Sequence, residues 1–183
     1  MTRLFVAVDL PSAVRCELVA LQPPKAPGIR LVASAQIHIT LHFIGDAQVE
    51  PIATALQAVA LPQFSLSLEG VGHFESSRGD VTLWAGIRKS DALQNLHGEV
   101  GAALVAVGYR TEARPYTPHV TLARLRPNAP VGVVDQFLGQ HARFTLPAVP
   151  VCNFGLFSSR TIDNAPVYRC ERAFPLLADR HVV

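Results

Sequence analysis

The chain reads as an α+β protein with a duplicated, bilobal fold. Two mainly antiparallel sheets with flanking helices are expected to face each other across a central cleft, related by a pseudo-twofold axis. Three observations predict this. Short alternating apolar runs take turns with helical periodicities along the chain. The tetrapeptide His-Ile-Thr-Leu at 38–41 returns as His-Val-Thr-Leu at 119–122. Around each copy the neighbouring elements follow in the same order.

Leu4 to Leu10 is a β-rich run, and Pro11-Ser12 then opens a helix carrying Val14, Leu18 and Leu21 at helical spacing. The segment IHITLHFIG alternates, with Ile37, Ile39, Leu41 and Phe43 on one face. Pro51 starts a second helix with Ile52, Leu56 and Val59 on one side, and Phe64 to Leu68 is another strand. The order then recurs. Val81 to Ile87 is a strand, and Ser90-Asp91 caps a long helix bearing Leu93, Leu96, Val100, Leu104 and Val107 up to the stop at Gly108. His119 to Leu125 is a strand, a helical stretch surrounds Val134 to Leu138, Phe144 to Leu146 begins a strand, and Val167 to Phe174 adds a last one. Phe64-Ser65-Leu66 lies 26 residues beyond the first histidine, and Phe144-Thr145-Leu146 lies 25 beyond the second. Shared spacing of this kind is the mark of an internal repeat. The expected organisation is a single domain, 1–183, made of two intertwined β-α-β-α-β copies at about 3–76 and 80–175.

Composition narrows the function classes. At 183 residues, 49% hydrophobic and 16% charged, the chain can bury a full core. A net charge of +2 is too small for a general nucleic-acid coat. The basic residues are fourteen Arg against two Lys, for which a preference for arginine codons is a plainer account than phosphate binding. Three cysteines without metal-like spacing point to a reduced, cytoplasmic setting. The start MTRLFVAVDLP is broken by Asp9 and lacks the pattern of a signal peptide. No apolar run reaches the roughly 18 residues of a membrane span. A monomer is the default expectation, since no exposed apolar stripe stands out.

On a strand, residues two apart share a face. If Ile37, Ile39, Leu41 and Phe43 face the helices, His38, Thr40 and His42 face away from them. In the second copy Val120 and Leu122 point inward, and His119 and Thr121 outward. Each copy then offers the cleft an imidazole and a hydroxyl. Two opposed imidazoles suit a phosphodiester displacement, which takes a proton from the attacking oxygen and gives one to the leaving oxygen. The threonine hydroxyls can donate to the non-bridging oxygens. The scheme needs neither metal nor cofactor. His38 and His42 would lie about 13 Å apart on a strand, too far to share a zinc ion. His73, His97, His141 and His181 have no companion in the sequence. No nucleophile elbow, Walker loop or dinucleotide fingerprint is present. A lone strand histidine is ordinarily structural, but two in equivalent frames are much harder to dismiss.

These motifs, with RLFVAVDLP, VTLWAGI, RPYTPHVTLARL, LFSS and VYRCERAFPL around them, resemble the bacterial and archaeal RNA 2′,3′-cyclic phosphodiesterases. That family, also called 2′-5′ RNA ligases, belongs to the two-histidine phosphoesterases. The resemblance covers nearly the whole chain. It implies hydrolysis of an RNA 2′,3′-cyclic phosphate end to a 2′-phosphate, with His38 the proton donor and His119 the proton acceptor. It also implies phosphate contacts from Thr40 and Thr121, and 2′-5′ joining of RNA ends as the reverse chemistry. The residues alone do not say which histidine donates. A relative acting on another cyclic or 2′-5′-linked nucleotide, or a module that grips phosphorylated RNA without turnover, shares these motifs.

Four further residues are candidates for substrate contact. Arg124 matches a family position that touches the substrate phosphate. Strict alternation nevertheless puts it on the inward face, unless the strand ends or bulges after Leu122 or the side chain curls back; an ordinary surface arginine is the alternative. His42 stands where relatives often have a small residue and would line the cleft floor beside His38. Phe5 and Tyr116 could stack on a terminal base, with core packing the competing assignment for Phe5. Leu31 replaces a tryptophan common in relatives.

Overall fold

The two histidine-bearing segments form the central strands of one curled sheet. A computed structural model of the chain describes residues 2–112, 114–162 and 165–178. In it the elements are β1 (Thr2–Asp9), α1 (Ser12–Ala20), β2 (Ile29–Leu31), β3 (His38–Ala47), α2 (Val49–Leu56), β4 (Phe64–Glu75) and β5 (Val81–Ile87). They continue with α3 (Asp91–Ala106), β6 (His119–Leu125), α4 (Val133–His141), β7 (Thr145–Val151), β8 (Asn153–Ile162) and β9 (Ala165–Pro175). The order across the sheet is β7-β4-β5-β6-β3-β1-β8-β9, with β2 added beside β6. All of these pairings are antiparallel.

The α+β class, the antiparallel strands and the flanking helices agree with expectation. The two expected sheets are the two halves of a single sheet, β3-β1-β8-β9 and β6-β5-β4-β7. They join where Ile39 faces Val120. The halves also exchange strands. β4 follows β3 in the chain but pairs with β5, and β8, which comes after β6 and β7, pairs with β1. It is β8, and not the Phe144-Thr145-Leu146 strand, that stands beside β1 as β4 stands beside β5. β4 and β7 are neighbours, with Leu68 opposite Leu146.

Leu18, Ile52, Leu56, Leu93, Leu96, Val100, Leu104 and Phe137 from the four helices join the inward strand residues in one apolar cluster. Each such side chain contributes roughly 1.5–3 kcal/mol on burial. The Ser90 hydroxyl accepts from the Leu93 amide at 3.2 Å, the expected cap of α3. That cap is worth about 1 kcal/mol.

Both central strands carry a β-bulge in the same place. Between β1 and β3, Ala7 faces Thr40 but Val6 faces His42, so Leu41 is an extra residue. Between β5 and β6, Trp84 faces Thr121 but Leu83 faces Ala123, so Leu122 is extra. A bulge reverses the alternation beyond it. Leu41 and His42 therefore both turn inward, as do Leu122 and Ala123, while Phe43 and Arg124 turn outward. Phe43, expected to face the helices, is 62% exposed.

Candidate active site

The same local device holds both motif histidines. His38 Nδ1 lies 2.7 Å from the Gln36 carbonyl oxygen, and His119 Nδ1 lies 2.8 Å from that of Thr117. A carbonyl oxygen only accepts, so each Nδ1 carries the hydrogen and donates it. Nε2 is then the nitrogen left for chemistry in both rings. Gln36 sits in a single 3₁₀ turn, Ser34–Gln36, and its side chain in turn donates to the Pro166 carbonyl. Pro118 follows Thr117, and helical backbone angles are disfavoured for a residue before proline.

Ile39 and Val120 face each other where β3 meets β6. In that antiparallel register His38 lies across from Thr121, and Thr40 across from His119. All four side chains are half-buried on the outward face. Each imidazole thus stands diagonally from the other, with one hydroxyl on its own strand and one opposite. His38 Nε2 is 3.0 Å from Thr40 Oγ1, with the hydroxyl donating while the ring is neutral.

Aromatic rings wall both imidazoles. Phe5 and Tyr168 lie 5.0 and 5.5 Å from the His38 ring. Phe74 and Trp84 lie 5.0 and 6.2 Å from that of His119. Burial lowers the His38 pKa below the usual 6.5; the hydrogen bond to Gln36 and the Asp9 charge push it back up, and His119 and Arg124 push it down. Burial also lowers the His119 pKa, opposed by the hydrogen bond to Thr117 and reinforced by Arg124. Asp9 is the cross-strand partner of His38, and among the shifts at His119 no carboxylate figures. The two imidazoles are therefore inequivalent.

The bulge after Leu122 brings Arg124 to the outward face, where its charge acts on both histidines. His42 goes the other way and does not line the cleft floor. It is 6% exposed, and its Nε2 donates to the His97 carbonyl of α3 at 2.8 Å. Gly101 of α3 makes room, since a Cβ there would come within 3.1 Å of His42 Nε2. His42 and His97 rings stack at 4.1 Å, and the other neighbour of His97 is Tyr116 at 4.0 Å. The Tyr116 hydroxyl donates to the Thr40 carbonyl at 2.9 Å, tying the segment before His119 to the first motif. One face of the Tyr116 ring is thus taken by His97. Phe5 is 4% exposed and packs among His38, Phe43, Phe157 and Tyr168.

Sequence reasoning left out Asp9, Phe74, Trp84, Tyr168 and the partnership of His97. They reach the site only through strand pairing and packing, and no local spacing announces them. His73 is exposed on β4, His141 packs edge-on against Phe137, and His181 lies outside the described residues. Among the described residues no group of three or more His, Cys, Asp or Glu side chains is placed to hold a metal ion. The three cysteines are free and exposed.

The sequence profile of the 2′-5′ RNA ligase superfamily matches residues 10–161. An RNA 2′,3′-cyclic phosphodiesterase of Thermus thermophilus is 30% identical over 187 residues, covering 95% of this chain and 90% of that protein. One from Geobacillus stearothermophilus is 31% identical over 145 residues, or 76% of this chain, which spans 45% of that protein's length. The crystal structure of Escherichia coli LigT complexed with 3′-AMP aligns with a TM-score of 0.73 at 26% identity, covering 96% of this chain and 98% of that one.

Proposed function

This chain belongs to the 2′-5′ RNA ligase superfamily, and we propose that it is an RNA 2′,3′-cyclic phosphodiesterase that opens cyclic phosphate ends to 2′-phosphates. The observation that carries this reading is the pair of histidines on adjacent central strands, each presenting Nε2 because its Nδ1 is bound to a carbonyl. His119 Nε2 takes a proton from water as its oxygen attacks phosphorus. His38 Nε2 gives a proton to the 3′ oxygen as the P–O3′ bond breaks, leaving a 2′-phosphate and a 3′ hydroxyl. Thr40 and Thr121 donate to the non-bridging oxygens, and Arg124 adds positive charge beside them. The Asp9 charge favours the protonated form of His38 and so supports its assignment as donor. An RNA 5′ hydroxyl in place of water would give 2′-5′ joining by the same steps.

The reaction runs without a metal ion, on RNA ends or small cyclic nucleotides, in a cytoplasmic monomer. The chain is one domain, 1–183, whose copies at about 3–76 and 80–175 supply one histidine each. A relative that holds 3′-AMP is consistent with a nucleotide substrate. Among the described residues no helix is long and apolar enough to cross a membrane.

The test is hydrolysis of a short RNA ending in a 2′,3′-cyclic phosphate, in buffer containing a chelator, with the product isomer identified. The expected product is the 2′-phosphate. His38→Ala and His119→Ala should each lose about 10²–10⁴ in rate with an unchanged unfolding midpoint. A 3′-phosphate product, a divalent-metal requirement, or near-normal turnover by either variant would refute the corresponding part of the scheme.

A further inference from the structure

The two motifs meet across a thin seam. Among the described residues β3 and β6 are registered at a single pair, Ile39 and Val120, although each is paired along its length with its other neighbour, β1 or β5. Beyond that pair, on the side of Thr40, the chain before His119 offers Pro118, which has no backbone N–H to extend the ladder. The ladder alone therefore leaves the spacing of the motifs weakly determined.

The Tyr116 hydroxyl supplies the donor that the ladder lacks. It reaches the Thr40 carbonyl at 2.9 Å. At one end of this bond stands the backbone of a residue whose own hydroxyl lies 3.0 Å from His38 Nε2. At the other end stands the neighbour of Thr117, whose carbonyl accepts from His119 Nδ1 at 2.8 Å. One hydrogen bond thus links the two places that hold the imidazoles. A phenylalanine would fill the same space, and burying a hydroxyl carries a desolvation cost that only its bond offsets. Burial pushes the Tyr116 pKa up, so the hydroxyl stays protonated and donates throughout the range in which the histidines titrate.

The ring that carries this hydroxyl is held by a closed circuit of contacts. Tyr116 lies between α3 and β6, outside any helix or strand. Its ring rests on that of His97 at 4.0 Å with 9° between planes, and His97 rests on His42 at 4.1 Å and 18°. His42 Nε2 donates to the His97 carbonyl at 2.8 Å. The circuit begins at His42 and ends at Thr40, two residues apart on β3. The bulge at Leu41 permits this, turning His42 inward to α3 while Thr40 stays on the cleft face. We infer that Tyr116 is a positioning residue: its hydroxyl, placed by the stack of His42 and His97, fixes the spacing between Thr40 and the Thr117 carbonyl that orients His119. Its effect falls on kcat rather than KM, since reactive geometry depends on placement far more steeply than ground-state binding does. The inference takes its reacting groups from the proposed hydrolysis.

Y116F removes the hydroxyl and keeps the ring, and H97A removes the support of the ring. Both are assayed on a short RNA ending in a 2′,3′-cyclic phosphate, at a temperature where circular dichroism shows every variant folded. For each, kcat should fall roughly tenfold to a hundredfold while KM stays within about threefold. The losses should not add: H97A introduced into Y116F should cost less than about twofold more, because His97 acts through the Tyr116 hydroxyl. Unchanged kcat in Y116F, a loss carried by KM, or additive losses would overturn the role. Imidazole nitrogen NMR of the substrate-free protein separates this role from the reaction itself. With the rings neutral, His119 should carry its proton on Nδ1 alone in the wild type and on either nitrogen in Y116F, where the Thr117 carbonyl is no longer held. A wild type that opens no cyclic phosphate but differs from Y116F in this way refutes the hydrolysis and upholds the positioning. The same tautomer in both proteins overturns the positioning whatever the turnover.

Discussion

Each cleft imidazole takes its tautomer from a carbonyl two residues upstream, and its acidity from what surrounds the ring. Both histidines are lowered from 6.5, first by burial. At neutral pH the unliganded protein therefore holds mostly neutral rings, and the reactive form has Nε2 protonated on His38 and Nε2 unprotonated on His119. The population of that form peaks between the two lowered values. The kcat/KM profile should accordingly be bell-shaped with its maximum below pH 6.5, and a flat profile from pH 5 to 9 would speak against a histidine pair. Asp9 raises the His38 pKa, so Asp9→Asn should move the limb that His38 controls to lower pH. If His38 is the donor, that is the alkaline limb. Movement of the acidic limb instead would reverse the donor and acceptor.

At the scale of elements, the stack of His42 on β3, His97 on α3 and Tyr116 before β6 clamps three separate segments together. Burial and the neighbouring His42 lower the His97 pKa to about 4. Because the folded value lies below the unfolded one, His97 supports stability fully above about pH 6.5. That contribution is lost as the pH falls from there to about 4. His97→Phe keeps a ring in the stack and removes its titration. The unfolding free energy of that variant should depend less steeply on pH across this window than the wild type's. An identical slope would show that the stack is not sensed by protonation. The paired bulges matter for a different reason. Without the one at Leu122, Arg124 would point into the core, and without the one at Leu41, His42 would enter the cleft.

Across the whole molecule, the exchange of β4 and β8 means that neither half of the sheet is made from one continuous stretch of chain. Breaking one half removes a strand supplied by the other half's sequence. Unfolding should therefore be a single cooperative transition. Fluorescence of Trp84, which sits on β5 alone, and far-UV circular dichroism should give superimposable denaturation curves. Separate midpoints would mean that the halves fold independently.

Much of this protein is written in local order. Periodicity located the four helices and most strands, and the recurrence of His-x-Thr-Leu picked out the two central strands with their outward imidazoles. Those signals survive because side-chain period and capping act over a few residues. β2 is only three residues long behind a proline-rich run, and β8 lacks regular alternation, so neither showed itself. Strict alternation also misplaced His42 and Phe43 and left Arg124 undecided, since a bulge is fixed by the register of the partner strand. The pairing of β3 with β6, the strand exchange, the Asp9 charge beside His38 and the outward turn of Arg124 exist only once distant segments meet. Sequence determined which side chains the central strands could offer; long-range strand pairing decided which of them share a cleft.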